Sequence, residues 1–213
     1  SLLAGFYLLR VHDSAVATYV AVALNLTVAG IGWLVGGQTP ALAAEAAPSA
    51  KPVERAPAAW TVYTTIGISG MTALGAEVVW TRILSLIFGA TVYTFSLILA
   101  VFLFGLGIGS TLGAALGRSV KRPRVALGAC QLLLCGAIAW ASYMLTDSLP
   151  YWPINPSMSN DPWVVLQLDL VRALWAMLPA AILWGASFPL ALAAVAEKGQ
   201  DPGQLVGRVY AVN

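Results

Sequence analysis

Five apolar runs, at residues 15–36, 60–88, 91–117, 124–145 and 168–195, are each long enough to cross a hydrocarbon core, which takes roughly 20 helical residues. None alternates strictly between apolar and polar positions, as a membrane barrel strand must. A spanning backbone has to satisfy its own hydrogen bonds, so the runs are expected to be helices. Composition agrees: 59% of residues are hydrophobic and 9% charged, with a mean hydropathy of +0.81, whereas soluble chains carry about 25% charged residues. The expected fold is all-α, a polytopic membrane helical bundle of about five complete transmembrane helices and two partial ones, at 1–9 and 203–213. Both half-spans read as cuts through longer helices, as in a segment of a larger protein.

Lys and Arg in short loops set the orientation. The loop after the third run carries Arg118, Lys121, Arg122 and Arg124, which assigns loop 118–123 to the cytoplasm. Counting outward, the Ala/Pro-rich linker 37–59 is also cytoplasmic, and the Pro- and Trp-rich loop 146–167, which has no Lys or Arg, is outside. The linker has little to pack with and reads as a hinge. It divides the chain into 1–36, the end of one helical group, and 60–213, four spans and the start of a fifth.

Three features inside the spans are informative. The stretch "SGMTALGAEVVWTRILSL", 69–86, holds Glu77 and Arg82 in apolar surroundings, and an ionisable residue at membrane depth usually faces a partner or a cavity. Five residues along a helix place them about 140° apart, so they are not expected to pair directly. Arg82 can extend its stem to the interface, whereas Glu77 is too short to do so. Either the helix loosens at Gly70 and Gly75, or each charge has its own partner on a neighbouring span. In "GLGIGSTLGAALG", Gly105, Gly109, Gly113 and Gly117 recur every four residues, which clears a groove for close approach of another helix. In "LPAAILWGASFPLAL", Pro179 and Pro189 fall within one span, each removes a backbone donor, and a kink is expected there.

Other chemistry is poorly represented. Cys130 and Cys135 are about 140° apart on one helix and read as packing residues, so no metal site is expected. The single histidine, His12, argues against a haem or chlorophyll carrier, and no cofactor is expected. A net charge of +2 with clustered basic residues points to no nucleic-acid partner. The expected partners are the lipid bilayer, other helices of the same parent chain and subunits of a larger membrane complex.

The segment 69–110, followed by the basic loop, then "LPAAILWGASFPLA" and "GRVYAVN", resembles the membrane region of the bacterial fused major-facilitator-like/spermidine synthase proteins. The resemblance covers nearly all of the chain and rests chiefly on "ALGAEVVWTR" and "GRVYAVN". It implies a six-helix, major-facilitator-like repeat in the bacterial inner membrane. In that family a synthase-like domain binds a nucleoside through a Gly-rich strand-to-helix turn. Here "GLGIGS" lies inside a span with no preceding strand, so aminopropyl transfer is not carried over. No catalytic constellation is present, which argues against enzyme activity in this segment.

Two function classes follow. One is a transporter-like module that binds or moves a small cationic solute such as a polyamine, with Glu77 as counter-ion or proton-coupling site and Arg82 holding it ionised in one state. The other is a non-catalytic structural or accessory subunit, or a membrane anchor, which uses the glycine groove and the loop "YWPINP", 151–156, as contact surfaces.

Overall fold

The computed structural model describes residues 14–38, 59–152, 161–196 and 202–213. All regular structure among them is helical: α1 (Ser14–Gln38), α2 (Ala59–Phe88), α3 (Val92–Ser119), α4 (Pro123–Tyr143), α5 (Pro162–Val195) and α6 (Pro202–Val212). The chain divides into two compact units at Glu54/Arg55.

In the first unit, α1 runs through the first expected span. Its mid-helix polar groups are answered by its own backbone: Asn25 Nδ2 donates to the Ala21 carbonyl at 2.9 Å and Thr27 Oγ1 to that of Ala23 at 2.8 Å. Four helical segments among the described residues are long and apolar enough to cross a membrane: Ala59–Phe88, Val92–Ser119, Pro123–Tyr151 and Pro162–Val195. The half-span at 1–9 and His12 lie outside the described residues.

In the second unit, α5 is the central element, packed most extensively on α3 and then on α4 and α2. The α2–α3 turn is made by Gly89, whose φ of 93° suits a residue without Cβ, and Thr91 then caps α3 by accepting from the Thr94 amide at 3.2 Å. Helix α4 continues past Tyr143 into a π-helical turn, Met144–Ser148, and a 3₁₀ turn, Leu149–Tyr151. Residues 146–151 and 162–167 are therefore helical, and the connection expected over 146–167 is correspondingly shorter. Pro162 does not delay α5 because a proline at the start of a helix lacks only a donor that would be unpaired anyway. Asp161 caps the helix by accepting from the Trp163 amide at 2.9 Å.

Two apolar cores lie along the bundle. One joins Trp80, Leu84, Ile98, Phe102, Ala141, Met144, Met177 and Trp184. The other joins Val62, Ile66, Leu127, Leu190, Val195 and Val209, which brings in α6. The outward surface is apolar as well, with Val78, Leu86, Leu132 and Leu133 all exposed. Several exposed threonines return their hydroxyls to their own helix, as Thr65 does to the Thr61 carbonyl and Thr111 to that of Gly107. Apolar sides with internally satisfied polar groups suit a lipid environment.

Candidate functional site

The predicted glycine groove is the seam between α3 and α5. Gly105, Gly109 and Gly113 are buried. A Cβ on Gly105 would lie 2.5 Å from that of Ala181, and one on Gly113 would lie 2.6 Å from the Ala186 carbonyl oxygen. A Cβ on Gly109 would collide with the Ile182 carbonyl, and one on Gly185 of α5 with that of Leu106. The backbones therefore meet directly at this seam, from both sides. Gly117, at the end of the series, is more relaxed, 3.1 Å from the Ala193 side chain.

Helix α5 runs without interruption through Pro179 and Pro189. Pro179 cannot donate to the carbonyl four residues earlier, that of Trp175. The indole Nε1 of Trp140 donates to that carbonyl instead, at 3.0 Å, and the two indole rings meet edge to face with centroids 5.6 Å apart. Pro189 packs against the same groove, its Cγ 2.8 Å from the Cβ position of Gly113.

Glu77 is half-buried and Arg82 exposed, both on a continuous α2, and they form no ion pair with each other. Glu77 lies between Ala76, which touches the core, and Val78, which is 71% exposed, so the carboxylate sits at the edge of the packed surface. Helix α2 is unbroken through Gly70 and Gly75, and the Asn213 carbonyl is pressed against Gly70.

The basic loop is exposed at Arg118, Lys121, Arg122 and Arg124. Arg124 has a structural link as well, since its Nε donates to the Ala194 carbonyl at 3.3 Å. That carbonyl lies in the last turn of α5, where intrahelical donors run out and a cation is favoured.

Two polar groupings went unnoticed in the sequence. The first joins three helices: Gln131 Nε2 on α4 donates to Ser187 Oγ on α5 at 2.9 Å and reaches Ser69 Oγ on α2 at 3.5 Å. Ser187 Oγ donates to the Leu183 carbonyl at 2.9 Å, and Cys130 Sγ approaches the same carbonyl at 3.4 Å. Cys130 is thus buried beside this network, while Cys135 is exposed.

The second is on α5, where Arg172 Nη1 faces Asp169 Oδ1 at 3.6 Å, with side-chain exposures of 3% and 14%. Nε and Nη2 of Arg172 are buried without a hydrogen-bond partner, as is Nε1 of Trp184, whose ring packs against Trp80 and Phe102 at centroid distances of 5.5 and 6.0 Å. The three-residue spacing of Asp169 and Arg172, which puts both on one helix face, was the available signal. It lay inside a run read only as apolar.

No protein-family model, curated protein or solved structure matches the chain.

Proposed function

We propose that this chain is a helical repeat of a transporter-like membrane protein, of the kind the fused major-facilitator-like/spermidine synthase resemblance implies, that binds or moves a small cationic solute such as a polyamine. The observation that carries this reading is Glu77: a carboxylate well inside a spanning-length apolar helix, half-buried, with no ion pair to another described residue. Leaving such a group unmatched in a bilayer costs about 2.5–3.5 kcal/mol on insertion scales, and an ammonium ligand or a proton offsets that cost. Transporters of this type place their site between repeats, and the edge position of Glu77 suits a site shared with further helices. In proteoliposomes, Glu77→Gln should abolish solute-dependent proton movement; unchanged movement removes Glu77 from the mechanism.

The second reading, an accessory or anchoring subunit of a membrane complex, is favoured by the largely uncovered apolar face of α2, which includes Ile68, Met71, Leu74 and Val78. Stoichiometric co-purification with a multisubunit enzyme supports it. Isolation as a free protein that binds the solute opposes it.

A further inference from the structure

The guanidinium of Arg172 is enclosed by protein, yet its best hydrogen-bonding edge has no hydrogen-bond partner. Nη1 points toward Asp169 at 3.6 Å, too long for a hydrogen bond, while the two donors without partners are Nε and Nη2. These two N–H groups are parallel neighbours along one edge of the planar guanidinium, the fork that takes two oxygens of a carboxylate or phosphate at once. An enclosed arginine with this edge unmet is destabilising, and a partner with two acceptor oxygens relieves it. Within ion-pairing distance, Asp169 is the only carboxylate among the described residues, and it addresses the opposite side of the group.

The position along the bundle is also informative. Arg172 is one turn before Trp175, which pairs with Trp140 near the end of α4. It is therefore level with the junction where α4 gives way to the π-helical turn Met144–Ser148. Helix α5 has 34 residues, about 51 Å at 1.5 Å per residue, so its first turns extend beyond a hydrocarbon core of about 30 Å. Arg172 thus lies toward the end of the bundle that carries the π-helical turn, and an anion reaches its enclosed donors only where that end opens. A π turn beside it is the kind of irregular element often found at functional sites.

We infer that Arg172 is a binding site for an oxyanion, a carboxylate or phosphate group held in two-point fashion by Nε and Nη2, at the α4/α5 end of the bundle. Asp169 holds the guanidinium in place from its other side and competes electrostatically with the incoming anion. The site is distinct from Glu77 in charge preference and in helix.

The test begins with the unaltered protein in lipid-depleted detergent, with thermal unfolding followed at constant ionic strength as chloride is replaced by phosphate or acetate. A rise in Tm with either anion identifies a free oxyanion as the source. A rise only with added phosphatidylglycerol, retained as a bound lipid in native mass spectrometry, identifies a headgroup phosphate. Arg172→Lys keeps the charge but loses the fork, and should weaken binding about tenfold. Asp169→Asn should tighten it. No response to phosphate, acetate or phosphatidylglycerol overturns the inference, and so does a response that is unchanged in Arg172→Lys.

Discussion

Helices α5 and α2 are both long and apolar enough to cross a membrane, but they are built for different neighbours. In α5, 56% of the most apolar window is buried inside the bundle; in α2 the share is 11%. Their charges follow the same division. Asp169 and Arg172 of α5 are turned inward, whereas Glu77 sits at the edge of α2 and Arg82 is outside. Length and hydropathy thus do not separate a helix that organises a bundle from one that offers a face to something else. Small residues do. Helix α5 presents Ala173, Ala176, Ala180, Ala181 and Gly185 to its neighbours, which allows backbone contact, and α2 carries Leu74, Val78 and Leu86 outward.

The largest test of this contrast is at the α3–α5 seam. Gly109→Leu should destabilise the protein by more than about 3 kcal/mol, because the Ile182 carbonyl is backbone and cannot move aside. Gly107→Leu on the same helix meets nothing within 4 Å and should change stability by less than about 0.5 kcal/mol. Unfolding titrated with SDS measures both, and equal costs would break the assignment of the seam.

Next in size is the bond that compensates Pro179. Trp140→Phe should cost about 1–2 kcal/mol by leaving the Trp175 carbonyl without its donor. In a Pro179→Ala background the helix supplies its own N–H, so the same change should cost less than half as much. A double-mutant cycle measures the coupling, and strict additivity would show that the indole bond does not serve the proline.

The smallest effect is expected at Gln131. Its bonds to Ser187 and Ser69 tie α4 to α5 and α2, yet interhelical hydrogen bonds in membranes average about 0.6 kcal/mol. Gln131→Leu should therefore cost under about 1.7 kcal/mol in the same titration. A loss larger than that of Gly109→Leu would make this network, rather than the glycine seam, the principal constraint on α5.

Much of the frame was legible in the sequence because it depends on local pattern. Apolar run length located every described helix to within a few residues, apart from the earlier start of α5, and the four-residue glycine period identified the seam on α3. The partner of that seam was less legible, since Ala181, Ile182 and Gly185 carry no periodic mark of their own. The start of α5 was hidden because Pro162 reads as a breaker in a loop rich in proline. Gln131, Ser187 and Ser69 are ordinary residues separately, and only the folded bundle brings them together. Asp169 and Arg172 were visible by spacing but were absorbed into the apolar run around them.

The edge of α2 carries the central claim, that Glu77 faces a hydrated solute site and not lipid. Glu77→Cys, with Cys130 and Cys135 replaced by alanine, can be tested in membranes by the rate of labelling with a water-soluble maleimide, with and without spermidine. Labelling that spermidine slows is the expected result. Labelling by a lipid-soluble maleimide alone, indifferent to spermidine, would place position 77 against lipid and contradict the claim.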